Sequence, residues 1–184
     1  MNPQVASIAP ADATFHEVQR FRKPWLLAVV VGVAGVLIGL ATYGLIVQFV
    51  FGRPFGREPL TATQLVLMAA FMIAIGCGLL WLVVAARLET WVTPDGLHVK
   101  FSPFHRKPRV YSAADIENAE ARTYRPLAEY GGWGIRMGRQ GHAYNVSGDR
   151  GLQLLLRGGK RLLIGSARTD ELATAVAKLR QRQA

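Results

Sequence analysis

Two long stretches without a formal charge constrain this chain more than any other feature. Residues 24–52 and residues 59–86 contain no Asp, Glu, Lys, Arg or His, and Leu, Val, Ile, Ala and Gly dominate both. At about 1.5 Å per residue, a helix over residues 25–51 would be roughly 40 Å long, against a hydrocarbon core of about 30 Å. That helix spans a bilayer with tilt, and a second helix over residues 65–86 spans it with less slack. The first run reads as a span and not as a secretory signal, because its apolar part is too long and a polar segment precedes it.

Flanking charge sets the expected orientation. Arg20, Arg22 and Lys23 precede the first run, and Arg87, Lys100, Arg106 and Lys107 follow the second, while the connecting segment holds only Arg53, Arg57 and Glu58. Cytoplasmic segments carry the excess of bases, so both termini are expected in the cytoplasm, in a bacterial inner membrane. The expected divisions are a cytoplasmic N-terminal segment (1–23), a first transmembrane helix (24–51), a short external loop (52–63), a second transmembrane helix (64–87) and a cytoplasmic domain (88–184). Trp25 and Trp81 then fall near the same interface.

Small residues stud both spans. Gly35 and Gly39 form a GxxxG, and Ala70, Ala74 and Gly78 recur at four-residue spacing. Such faces let helix backbones approach closely in lipid. Two uses are open: packing the two spans against each other, or binding a second copy or another membrane protein. Neither span holds an acid, a lysine or a histidine, so an ion path is not expected. The single cysteine, Cys77, lies among apolar neighbours and reads as an inert small hydrophobe.

After residue 87 the pattern changes to short alternating pieces. Strands are expected at 88–93 and 97–101 around a Pro94-Asp95-Gly96 turn, then at 109–111, 116–124, 133–137 and 143–146. A last pair, 152–157 and 161–165, meets across Gly158-Gly159. A helix follows with Thr169 as its N-cap, Asp170 and Glu171 at its positive end, and Leu172, Val176 and Leu179 as one apolar stripe. The fold class is therefore an α+β membrane protein. Its two-helix transmembrane hairpin leads into a mostly β domain of 7–8 antiparallel strands closed by a C-terminal helix. Such a pattern suits a pleckstrin-homology-like (PH-like) fold; the terminal helix speaks against an OB-type barrel.

The order of elements from Leu88 onward, the segment Tyr124-Arg-Pro-Leu-Ala-Glu-Tyr-Gly-Gly-Trp-Gly-Ile-Arg and the later Ala143-Tyr-Asn-Val-Ser-Gly-Asp-Arg-Gly resemble a group of uncharacterised bacterial two-pass membrane proteins. These carry a bacterial PH-like domain after their spans. The resemblance covers nearly the whole chain beyond its first 20 residues. It implies fold and anchoring, and no activity.

Local chemistry points away from catalysis. His16, His98, His105 and His142 show no metal-ligand spacing with one another or with Cys77. Gly131-Gly-Trp-Gly lacks the lysine and the Ser/Thr of a phosphate-binding loop. Trp133 there reads either as packing at a bend or as an aromatic that docks a partner. Residues 90–184 hold 16 Lys/Arg against 8 Asp/Glu, concentrated at residues 105–109 and 157–161. Near anionic lipid each base contributes about 1 kcal/mol, so Arg106, Lys107 and Arg109 are expected to touch anionic headgroups. The short, acidic turn at residues 94–96 gives no inositol-phosphate pocket of the PH type, and without interleaved aromatics nucleic acid is not an expected partner. The expectation is a non-enzymatic interaction or assembly module at the cytoplasmic face, with no cofactor and no metal. Trp133, Gly35 and Gly39 are its candidate interaction residues. The alternatives are an accessory subunit recruited through its helices, or a ligand-sensing domain.

Overall fold

The computed structural model describes residues 10, 12–21, 24–55, 60–138 and 140–183. Its elements are β1 (Phe15–Arg20), α1 (Pro24–Phe49), α2 (Ala62–Ala85), β2 (Arg87–Thr93), β3 (Gly96–Ser102), β4 (Arg109–Tyr111), a 3-10 turn (Ala113–Asp115), β5 (Ile116–Thr123), α3 (Pro126–Tyr130), β6 (Gly134–Gly138), β7 (Gly141–Asn145), β8 (Arg150–Leu156), β9 (Lys160–Gly165) and α4 (Thr169–Gln183). The chain divides into two units: residues 22–85, and residues 1–21 together with 86–184.

In the first unit, α1 and α2 form a hairpin, and both are long and apolar enough to cross a membrane. Only 11% of the most apolar window of each is buried within the protein, so neither is the core helix of a soluble domain. At the start of α2, the Thr61 hydroxyl accepts the N–H of Gln64 (3.3 Å) while the Gln64 side-chain oxygen accepts the N–H of Thr61 (3.1 Å). That reciprocal cap satisfies two helix-end donors.

The second unit is two sheets and a helix. One sheet runs β1-β2-β3-β4 and the other β5-β8-β9-β7-β6. Period-two alternation aims Leu88 and Val92 of β2, Leu97, Val99 and Phe101 of β3, Leu152 and Leu154 of β8, and Leu162 and Ile164 of β9 into one core. From α4, Leu172, Ala175, Val176 and Leu179 join that core, as the apolar stripe predicts. A smaller cluster of Tyr124, Tyr130, Ala143 and Leu163 forms separately.

Four features differ from the sequence reading. β1 lies in the stretch assigned to an N-terminal segment, and it pairs antiparallel with β2, Phe15 opposite Val92 and Arg20 opposite Arg87. The apolar helical hairpin is thus inserted between two neighbouring strands of one sheet. Second, the pairing is not wholly antiparallel: β7 runs parallel to β9, with His142 opposite Leu162 and Tyr144 opposite Ile164. Third, residues 126–130, read as part of a glycine-rich break, form α3; Pro126 suits a first helical position, and Gly131 closes the helix in the left-handed region at φ 71°. Finally, Thr169 does not cap α4. Its hydroxyl donates to the Ser166 carbonyl (2.8 Å), and the two N–H groups just before the helix are bonded by side chains, Arg168 N–H to the Ser166 hydroxyl (3.0 Å) and Ala167 N–H to the Glu17 carboxylate (3.0 Å).

β1 is therefore tied into the unit from both sides. Phe15 is buried in the core, the Arg168 guanidinium lies 5.1 Å from its ring, and the Gln19 amide donates to the Gly165 carbonyl (2.8 Å). Phe15→Ala should cost about 3–5 kcal/mol, a large share of a small domain's stability. Val18→Ala, at a side chain 42% exposed, should cost under about 1 kcal/mol. Denaturant unfolding of the full chain in detergent, followed by near-ultraviolet dichroism of the buried Trp91, measures both. Equal, small effects would mean that β1 is not part of the cooperative unit.

Candidate functional site

The two concentrations of basic charge are far apart in the sequence, and the fold brings Arg109 of the first beside the second. Arg109 and Tyr111 alternate onto one face of β4, and His142 and Tyr144 onto one face of β7. The turn between β8 and β9 adds Arg157 and Lys160, and β9 adds Arg161. All seven line one cleft of about 360 Å³ between the two sheets, with Leu156 and Leu162 as its apolar wall.

The parallel β7–β9 pair makes this possible. A Cβ at Gly141 would lie 2.2 Å from the Arg161 carbonyl oxygen, so only glycine lets β7 begin this close to β9. Tyr144 is held edge-on by His105, ring centroids 5.3 Å apart, and the Arg109 guanidinium lies 5.9 Å from its ring centroid. His105 Nδ1 accepts the N–H of Phe101 (3.2 Å), and burial, then the neighbouring Arg109 charge, lowers its pKa. Burial above all raises the pKa of both Tyr111 and Tyr144. At neutral pH both phenols therefore keep their protons and remain hydrogen-bond donors.

Charge in the cleft is met from within only in part: Asp115 lines it, and the Arg157 charge is, after the bonds from Ser112, among the causes that lower the Asp115 pKa. Among the described residues, none of Arg109, Arg157, Lys160 and Arg161 forms a salt bridge. Arg161 donates to the side-chain oxygen of Gln140 (3.1 Å), a neutral partner. The one carboxylate at the rim, Asp115, is engaged by the Ser112 hydroxyl (2.6 Å) and N–H (3.0 Å), and these bonds lower its pKa. Arg122 offers the contrast. It lines a second cavity, which Arg161 and Gln140 also line, and its guanidinium is spent on Glu129 (2.8 Å), Gln153 (3.0 Å) and Tyr130 (3.3 Å).

The other sequence candidates fall in separate places. Arg106 and Lys107 are exposed in the β3–β4 connection, beside Phe104, which is 59% exposed. Trp133 is half-buried, its indole N–H donating to the Gly148 carbonyl (3.1 Å), while the neighbouring Gly134 N–H is taken by Asn145 (2.9 Å). The four histidines stay apart: His16 contacts Glu89 (3.2 Å), His98 stacks on Trp91, His105 braces Tyr144, and His142 lines the cleft. Among the described residues, no three His, Cys, Asp or Glu side chains are grouped to hold a metal.

In the hairpin, the GxxxG is not what joins the helices. α1 buries Ala34, Ala41 and Gly44, and α2 buries Leu65, Ala69 and Gly76. A Cβ on Gly76 would come within 2.9 Å of Ile38, whereas one on Gly35, Gly39 or Gly78 would meet nothing within 4 Å. Ala70 and Ala74 are likewise exposed. Spacing alone could not settle which small-residue face meets the other helix, because every face of both helices is apolar.

Sequence reasoning missed the cleft for a comparable reason. Residues 105–109 and 157–161 were legible as basic segments, but Tyr111, His142 and Tyr144 carry no signal until the register of β7 against β9 is known. Comparison of the chain with protein-family models, with curated proteins and with solved structures finds no match.

Proposed function

We propose that this chain is a non-enzymatic, two-pass protein of a bacterial inner membrane, both termini cytoplasmic, whose PH-like β unit is an interaction or assembly module at that face. A four-strand meander, a second sheet and a closing helix support the PH-like reading. The carrying observation lies on α1. Gly32, Gly35 and Gly39 recur at i, i+3 and i+7, and a Cβ on any of them would meet nothing within 4 Å. A face that the hairpin does not need, and that admits close backbone approach, fits another transmembrane helix. The occupant proposed is α1 of a second copy.

The β3–β4 connection supports contact with lipid. Phe104 projects beside Arg106 and Lys107, an apolar group with two cations of the kind that anionic membrane surfaces attract. Arg109, the third base expected there, also lines the cleft.

Association of differently labelled full-length copies in a bilayer, read by energy transfer, tests the α1 face. Gly35→Val with Gly39→Val should weaken it about tenfold or more. Gly76→Val should leave that face intact and instead lower hairpin stability by about 1–3 kcal/mol in a denaturing-detergent titration. Unchanged association of the double variant would sink the proposed face. Wild-type copies that remain monomeric would assign the face to a different protein, as in the accessory-subunit reading.

Orientation has its own test. In a Cys77→Ala background, an impermeant thiol reagent added outside intact cells should label Arg53→Cys and not Asp149→Cys. The opposite pattern would place the β unit on the other side of the membrane.

A further inference from the structure

Three arginines of the β unit outside the cleft have carboxylate partners. Arg122 is held by Glu129, Arg150 pairs with Asp170 (3.0 Å), and Arg168 pairs with Glu171. The cleft between β4 and the β7–β9 end of the second sheet differs. Arg109, Arg157 and Lys160 line it without a salt bridge among the described residues. Like charges held together repel, so an arrangement of this kind is stabilised by an anion that binds all of them.

We propose that this cleft binds a phosphate-bearing anion of two or more charges, a phosphomonoester or a diphosphate, presented by a lipid headgroup or by a soluble molecule. Guanidinium forks match phosphate oxygens bidentately, and Arg109 and Arg157 supply two of them. Lys160 adds a point charge from the same turn. Tyr111 and Tyr144 also line the cleft, and their hydroxyls, bonded to each other and to Arg109, hold that guanidinium in place. A monocarboxylate would neutralise one cation and leave the others facing each other; a group with several anionic oxygens engages more of the set. The volume of about 360 Å³ is at the low end for ligand pockets and suits a headgroup-sized anion. Asp115 at the rim repels the anion, and its bonds to Ser112 keep its carboxylate turned to that residue. The inference goes beyond the proposal for α1, and the failure of either leaves the other standing.

Titration of the full chain, held in nanodiscs of neutral phosphatidylcholine, with inorganic pyrophosphate in the absence of divalent metal tests the proposal. Binding should be measurable by calorimetry, and Arg157→Gln with Lys160→Gln should weaken it about tenfold or more. Both side chains lie on an exposed turn, so thermal unfolding should be unchanged and should report any loss of fold separately. Arg106→Gln with Lys107→Gln removes the same charge outside the cleft and should weaken binding less than about threefold. Equal losses in the two double variants would reduce the effect to diffuse charge and overturn the site. So would the absence of wild-type binding at millimolar pyrophosphate. Adding phosphatidate to the nanodiscs separates the two sources. Competition with pyrophosphate that disappears in the Arg157→Gln, Lys160→Gln protein identifies a lipid headgroup, and unchanged pyrophosphate affinity identifies a soluble anion.

Discussion

Pairing between β1 and β2 is the constraint on which the β unit depends. Its six residue pairs join segments separated in the chain by both apolar helices. Closing so long a connection costs entropy, although the cost grows only slowly with length. Burial of Phe15 and the bonds from Glu17 and Gln19 offset it. These contacts do more than extend one sheet. Glu17 also accepts from the Ser166 hydroxyl (2.6 Å), so the edge of the first sheet is fastened where β9 gives way to α4. Two sheets and a helix are thereby held around one core by a strand that precedes the hairpin.

Most of this unit was legible from Leu88 onward, because alternation there is strong and turns are marked by Pro94-Asp95-Gly96 and Gly158-Gly159. β1 was not. Its Phe15-His-Glu-Val-Gln-Arg sequence alternates weakly, and it becomes a strand only against a partner that follows both helices. The parallel placement of β7 was invisible for a related reason, since strand direction depends on which neighbour a strand finds. In the candidate site, charge was readable and convergence was not. Arg109 was expected beside Arg106 and Lys107 in one surface patch, but alternation along β4 puts it on the face shared with Tyr111, in the cleft.

Charge is handled in two ways within the β unit. Where Arg122 is half-buried, a carboxylate, an amide and a phenol meet its donors, and the guanidinium–carboxylate bond lowers the pKa of Glu129. In the cleft, two tyrosines and neutral partners surround cations that form no salt bridge among the described residues. The first arrangement fixes local structure. The second leaves a positive potential facing solvent, concentrated by the low-dielectric walls on either side of it.

The placement of the hairpin between two paired strands has a consequence for how the protein is made. β1 leaves the ribosome first and has no partner until residues 87–93 follow both helices. A hairpin inserted with only one crossing would strand Arg20 and Arg87 on opposite sides of the bilayer, where the sheet cannot close. Completion of the β unit therefore excludes a single crossing: only a chain with both helices across, or neither, acquires its fourth strand, its sealed core and a buried Phe15. A chain with a single crossing would keep that edge open.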